Sequence, residues 1–409
     1  MTKPNKKQPD VVIVGGGMVG MAAAIALSQL KLSVVLLEFQ QSQADSHPSY
    51  DDRTLVVNRA SICFWKKLGI WPHLKQDITE IHKVHVSNKG HFGHVVFSKE
   101  EFKIDSLASI VEAKVLGMAL KNKIQSLANI ELICPAQVTG FTSCSNYVEI
   151  DYSVGEQKLQ LRTSLMLAAD GVQSKIRQKL QLATEVKSYK RTAIICNITT
   201  EYKHNNCAYE RLTSTGPTAL LPFVQNRCGF VWSVKSEAVD EIINLSDAAF
   251  LKQAQEQFGY RLGKFLKAGK RSTYPLYWIK VPQQCKDRII LMGNAAHAMS
   301  PVSAQGLNLA VRDIAHLYDV IKQNLDKNQD IGDNTVLNHY QQSVNEDQEQ
   351  TMAYTDDLMR WFEIDNPIVN SLRSLALFAM NTTPLAKETL FHKASGYRHD
   401  SVPELLRHY

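Results

Sequence analysis

The sequence has no long apolar run, no dense stretch of one charge, no internal repeat and no cysteine pair at metal-binding spacing. Its seven cysteines, at positions 63, 134, 144, 196, 207, 228 and 285, contain no CxxC. An odd, dispersed set argues against a disulfide framework and a thiolate metal site, and points to reduced thiols in the cytoplasm. No apolar run reaches the roughly 18–20 residues of a membrane-spanning helix. The polar start Met1–Lys7 is expected to lead straight into the first strand without a targeting segment. A net charge of +6 spread over 409 residues does not suggest nucleic-acid binding, although it allows weak attraction to anionic lipid. Ser-His-Asp sets and paired carboxylates are also missing, so the chemistry must come from elsewhere.

What is there begins with Val11-Val12-Ile13-Val14, followed by Gly15-Gly16-Gly17-Met18-Val19-Gly20 and a small-residue run, Met21 to Leu27. Four apolar residues read as a strand buried on both faces, and the run after it as a helix. In Gly15-x-Gly17-x-x-Gly20, Gly15 turns the chain, Gly17 admits a pyrophosphate to the backbone, and Gly20 lets helix and strand pack closely. The helix start then presents free N–H groups to the phosphates. A second apolar strand, Ser33 to Leu37, ends in Glu38, where a carboxylate can accept from a ribose hydroxyl. This pattern marks a dinucleotide site without separating FAD from NAD.

Further along, a polar segment from Gln40 to Asp52 precedes Arg53, which either faces the cofactor or pairs with Asp51 or Asp52 on the surface. Residues 81–97 alternate and turn at Asn88-Lys89-Gly90, a hairpin signature. Its four histidines, His82, His85, His91 and His94, are better read as solvated than as metal ligands, because strand spacing scatters them over both faces. Leu165 to Ala169 is a buried strand delivering Asp170 and Gly171 at its carboxyl end, where ligands bind in open α/β sheets. Asp170 can equally be a helix N-cap. From about 184 to 281 the segments alternate as an antiparallel sheet; then Arg288 to Met292 returns to a buried strand. The predicted fold class is therefore α/β (α+β): a Rossmann-like cofactor domain, discontinuous over 1–78, 100–183 and 284–340. An inserted, mainly antiparallel β domain (79–99 and 184–283) forms the substrate floor, and a helical C-terminal segment spans 341–409. The amphipathic stretch Ile368 to Met380 is expected to pack on the core rather than on lipid or a partner.

Three motifs stand in order: Gly15–Gly20 with Glu38; Ala169-Asp170-Gly171; and Gly293-Asn294-Ala295-Ala296-His297 with Pro301 and Gln305-Gly306-Leu307-Asn308. This series resembles the single-component FAD-dependent aromatic hydroxylases, the group that includes para-hydroxybenzoate hydroxylase. Within it the chain is most similar to the ubiquinone-biosynthesis hydroxylases acting on 2-octaprenyl-6-methoxyphenol-type substrates, through Val84–His91, Tyr209–Pro217 with Leu220-Leu221-Pro222, Phe258–Lys264 and Gly269–Ser272. The likeness runs from near residue 10 to about 350. Asn294 stands where most of the broader family has aspartate, and Ala304 where glycine is usual, which leaves position 304 less tolerant of unusual dihedrals. Lys114 and Val115 replace residues that contact the cofactor in relatives.

The resemblance implies an FAD monooxygenase. NAD(P)H reduces the flavin, O₂ gives a C4a-hydroperoxide, and the ring of a prenylated phenol attacks it. It also implies that Gly293, Asn294, Gly306, Leu307 and Asn308 join Gly15, Gly17, Gly20, Glu38, Arg53, Asp170 and Gly171 around FAD. Pro301, Gln305 and Gly306 would border the reacting pocket, where water must be excluded. His297 is expected to hold structure beside the cofactor more than to move protons. Leu220, Pro222, Phe223 and Trp232 are the expected apolar floor, although a sheet core explains them too. No metal is implied. The expected setting is cytoplasmic, with contact to a quinone-biosynthesis complex or the inner membrane. Rival readings are a flavin oxidase or prenyl reductase on this fold, a non-catalytic FAD-bound scaffold, and an NAD dehydrogenase; the last leaves the second and third motifs unexplained.

Overall fold

Four apolar residues in a row can be buried only if both sides of their strand are covered. In the computed structural model, which describes residues 8–40, 54–213, 216–300, 304–363, 366–397 and 402–407, Val11–Val14 is such a strand. Among the described residues six strands make its sheet, in the order Cys285–Lys286, Ile289–Leu291, Leu165–Ala168, Val11–Val14, Val34–Leu37 and Ile130–Ile133. All neighbours pair in parallel except the first two. Val11, Ile13, Val34 and Leu36 face the helices Met18–Ser28 and Gly306–Asp326. Val12, Val14, Val35 and Leu37 face the other way, onto a core shared with an antiparallel sheet of Gln137–Ser143, Val148–Val154 and Gln157–Thr163. Period-two alternation thus feeds two cores.

A larger, mostly antiparallel sheet carries Glu185–Thr200, Cys207–Leu212, Thr218–Pro222, Arg227–Lys235 and Ser272–Lys280. The hairpin Lys83–Asn88 with His94–Ser98 joins it, because Lys83–Asn88 pairs in parallel with Cys207–Leu212. One face packs on the helix Asp247–Phe258 through Ile194, Leu220, Phe230, Trp232 and Phe250. The other carries Val84, Val86, Ala208, Leu221 and Val231. His297–Ala298 pairs with the end of Ser272–Lys280, tying the third motif to this sheet.

One of the four hairpin histidines departs from the solvated reading, while His91 and His94 are exposed and His82 is partly so. His85 is buried and stacks on His94, ring centroids 5.4 Å apart. Burial, then the positive charge of Arg261, push its pKa down to about 4. An unfolded histidine titrates near ~6.5, so between that value and 4 the unfolded chain binds the extra proton. His85 therefore contributes stability that is complete above about pH 6.5 and is lost as pH falls. The melting temperature should drop over this window, and His85→Gln should flatten the slope; an unchanged slope would rule out the assignment. Among the described residues no group of three or more His, Cys, Asp or Glu side chains is placed to hold a metal ion.

The C-terminal helices also depart from expectation. Pro384 opens a further helix, Pro384–Ser395, rather than ending the helical region, since proline suits a first turn. The helix Pro367–Thr382 is only half a core helix. Leu377 points inward, whereas Ile368 (70% exposed), Leu372 (57%), Leu375 (55%) and Phe378 (52%) point out. No described helix is long and apolar enough to cross a membrane.

Candidate active site

The glycine turn is shaped by contacts that side chains would destroy. Gly15 has φ +108°, and a Cβ there would lie 2.4 Å from the Ala169 carbonyl oxygen. At Gly20 a Cβ would lie 1.9 Å from the Gly15 oxygen, so helix and turn touch backbone to backbone. Gly17 is the N-cap of Met18–Ser28, in extended conformation. Gly16, which the spacing leaves without a role, has one here. Its N–H donates to Glu38 Oε2, and a Cβ would sit 2.8 Å from the Glu38 Cβ. Glu38 Oε1 accepts from the Gln40 N–H at 2.6 Å. The acid is therefore anchored beside the turn.

The second and third motifs meet this turn. The Ala169 N–H donates to the Val14 carbonyl and the Met292 N–H to the Ala168 carbonyl, at 2.8 and 2.9 Å. Gly293, at φ +54°, lies against Val19, whose Cγ2 would be 3.0 Å from an added Cβ. The N-cap of the short helix Lys175–Lys179 is Ser174, whose Oγ accepts from the Arg177 N–H at 3.0 Å. Asp170 is thus not the cap: its Oδ2 accepts weakly from Ile176 N–H at 3.3 Å, and its buried Oδ1 has no partner. Arg177, missed in the sequence, is buried and donates to the carbonyls of Ala295 (2.9 Å) and Val172 (2.8 Å), joining motifs two and three. Desolvation pulls its pKa down and the Asp170 charge pushes it back up.

His297 is buried, with Nε2 2.5 Å from Asp313 Oδ2, while Gln348 donates to Asp313 Oδ1 at 3.0 Å. Held from one helix and backed by a second, it positions the loop. Asn294 is exposed. Asn308 is fully engaged: Nδ2 donates to the Val56 and Ala304 carbonyls (2.8 and 2.7 Å), and Oδ1 accepts from Asn58 N–H (3.0 Å). It therefore braces the loop instead of offering a free amide. Leu307 packs on the first core. Ala304 adopts φ +51°, a conformation costing a non-glycine residue about 1–2 kcal/mol. Gln305 is buried with Oε1 unpartnered, and a Cβ on Gly306 or Gly171 would meet nothing within 4 Å. Pro301 and Arg53 lie outside the described residues.

These features fit FAD. The glycine turn and the N-terminus of Met18–Ser28 offer N–H groups to a pyrophosphate, Glu38 an acceptor for a ribose, and Asp170 an orphaned buried oxygen. Open ground at Gly306 lies at the start of the 21-residue helix Gly306–Asp326, whose positive end suits negative charge on a reduced ring.

Next to this loop is a cavity of about 260 Å³. Asn58, Ala304, Gln305 and Asn308 form one wall, and Val84, Val86, Ala219, Leu221 and Val231 the sheet wall. Leu390, Phe391 and Ala394 of Pro384–Ser395 supply a third. The expected floor is out of step by one residue. Leu220 and Trp232 sit on the opposite face, against Phe230 and Phe250, and neither Pro222 nor Phe223 lines the cavity. A shift of one position moves a strand residue to the other side of its sheet.

The FAD binding domain family model matches residues 8–353. Ubiquinone hydroxylase UbiL of Rhodospirillum rubrum is 29% identical over 390 residues, 95% of this chain and 90% of that protein. The 3-demethoxyubiquinol 3-hydroxylase of Escherichia coli K12 is 26% identical over 390 residues, 95% and 98% of the two chains. The crystal structure of p-nitrophenol 4-monooxygenase from Pseudomonas putida matches with a TM-score of 0.79 at 17% identity, covering 96% of this chain and 99% of that one. At that identity the likeness is one of fold.

Proposed function

The chain belongs to the FAD binding domain family, and from that premise we propose that it is an FAD-dependent monooxygenase hydroxylating a prenylated phenol in ubiquinone biosynthesis, with NAD(P)H and O₂. The observation that carries this reading is the apolar cavity sharing Ala304, Gln305 and Asn308 with the candidate flavin loop. Relatives named as ubiquinone and demethoxyubiquinol hydroxylases support the substrate class. Bound FAD supplies the transfer of electrons and the activation of oxygen.

The chain's own residues bind, orient and keep dry. The glycine turn and Glu38 take the nucleotide end, and Asp170 offers its free oxygen. The His297–Asp313–Gln348 series and the Asn308 bonds hold the 293–308 loop in register. Val84, Val86, Leu221, Val231, Leu390 and Phe391 surround the ring with hydrocarbon, and that excludes water from the reacting centre. In a strain lacking this chain, the prenylated phenol that accumulates names the missing hydroxylation. Unaltered quinone with no accumulating phenol would contradict the proposal.

The same reading assigns the substrate's source to a lipid surface. Arg373 is the sole charged residue in Pro367–Thr382 and is buried, so the helix turns out only apolar and small polar groups. Phe92 of the neighbouring hairpin and Leu385 of the next helix are 70% and 74% exposed, and Gly93 is close-packed on the Ser374 backbone. Hydrophobic area on this face, in a chain whose net charge is +6, suits an anionic bilayer surface. The Leu372→Glu, Phe378→Glu double variant should bind anionic vesicles about ten-fold or more weakly while keeping its flavin. Equal binding would refute the lipid contact.

A further inference from the structure

Glu210 stands alone in the substrate cavity. Its strand, Cys207–Leu212, alternates so that Ala208, Glu210 and Leu212 face one side, and Glu210 pairs in register with Val86 and Ala219. Both neighbours and the residues beyond them are hydrocarbon, and the side chain lines the cavity that Gln305 and Ala304 close from the opposite wall. Among the residues lining it, Glu210 is the one carboxylate, and no lysine, arginine or histidine is present. The other titratable group there is the hydroxyl of Tyr354, on Asn334–Glu363, whereas Tyr209, next on the strand, turns its ring to the opposite face against Phe258. The adjacent strands present Val84, Val86, Ala219 and Leu221, and the C-terminal helix presents Leu390, Phe391, Ala394 and Ser395. Arg211 lies beside Gly259, next in sequence and on the other side of the strand. No hydrogen bond or ion pair holds Glu210 among the described residues.

Hydrocarbon surroundings disfavour the charged form of an unpaired carboxylate. Glu210 is half-buried, at the wall of the cavity rather than sealed inside the protein, so its carboxylate is placed to meet a ligand that enters there. Burial alone displaces its proton affinity, upward, and no nearby cation offsets it. We propose that Glu210 is a catalytic residue: the acceptor of the phenol O–H proton of the substrate. This rests on the hydroxylase reading above.

As the ring carbon forms its new C–O bond, electrons must flow in from the phenol oxygen. The O–H bond breaks, its proton passes to a Glu210 carboxylate oxygen, and the phenol oxygen becomes the carbonyl of a cyclohexadienone. The ring C–H proton then leaves to water admitted at product release, and Glu210 returns its proton to that oxygen. Aromaticity is restored in the diol product, and the carboxylate is regenerated. The oxygen atom and the electrons come from O₂ and NAD(P)H, so the side chain undergoes no net change. A carboxyl with an upward-shifted pKa sits closer to neutral operating pH than an exposed one, which suits a general base.

The test uses the flavin-loaded protein with a prenylated phenol. Glu210→Gln keeps the shape, removes the base, and should lower product formation by about 10²–10⁴-fold, with NAD(P)H oxidation now yielding H₂O₂. The acid limb of the wild-type pH profile should disappear, and Glu210→Asp should recover part of the rate. Binding gives a readout independent of turnover: the wild type should prefer the free phenol over its O-methyl ether by about ten-fold, the value of one charge-assisted hydrogen bond, and Glu210→Gln should lose this preference. Hydroxylation by Glu210→Gln at the wild-type rate with an unchanged pH profile would overturn the assignment. If the wild type itself forms no hydroxylated product from any prenylated phenol, the hydroxylase reading fails and this inference falls with it.

Discussion

A Gly20→Ala protein is expected to purify without bound flavin. The added Cβ would lie 1.9 Å from the Gly15 carbonyl oxygen, inside any real contact distance. Neither partner can turn aside, because the obstacle is backbone and Gly15 is itself held by a 2.8 Å bond from its N–H to the Leu37 carbonyl. Relief requires the helix Met18–Ser28 to move off the sheet. Its inner face is buried throughout from Gly20 to Ser28, so the movement opens the first core and costs at least about 1–3 kcal/mol. It also tilts the first-turn N–H groups away from the pyrophosphate position, and affinity for FAD should fall by two orders of magnitude, roughly the loss of two charge-assisted hydrogen bonds. Flavin absorbance per chain, compared with that of the wild type, is the measurement. Wild-type colour in this variant would mean that the close approach is not what positions the helix.

The second large effect is expected from Asp347→Ala. Arg312, on Gly306–Asp326, and Asp347, on Asn334–Glu363, are both buried and form a two-point contact, Nε to Oδ2 and Nη2 to Oδ1, the latter at 3.1 Å. Thr351 adds an acceptor to Nη2 at 3.0 Å. Removing the carboxylate leaves a guanidinium in the interior without its counter-charge, which typically costs about 3–5 kcal/mol. The pair sits two turns from Gln305 and Gly306, so the same variant should loosen the loop that faces the flavin. Denaturant unfolding of the flavin-loaded protein should show the loss in full, and a change under about 1 kcal/mol, the value of an exposed pair, would contradict the buried geometry. Replacing both partners with apolar residues should restore much of the stability, because the penalty lies in the unpaired charge.

Much of the candidate site is legible without coordinates, and the reason is local. Gly15, Gly17 and Gly20 follow four apolar residues because a turn and a helix start need those residue types within ten positions. Glu38, Asp170 and Gly293 were recognisable as residues ending buried strands, and strand ends in such sheets are where ligands lie. The α/β class, with an inserted antiparallel sheet and a helical end, followed from the change of period along the chain.

What the sequence could not decide was orientation across distance. Both faces of the large sheet are apolar, one against Asp247–Phe258 and one against the cavity, so alternation separates Leu220 from Leu221 without saying which lines the cavity. The same is true of Glu210, an acid whose meaning depends on the face it occupies. Asn308 finds its partner 250 positions earlier, at Asn58, and Arg177 reaches Ala295 across 118. Leu390 and Phe391 become a cavity wall only when the chain's end folds back. By itself the sequence determined the turns, strands and helix starts that a dinucleotide requires, since these depend on neighbours along the backbone. Only the tertiary structure decided which side chains share a cavity, because burial on two faces makes both look alike until the layers are stacked.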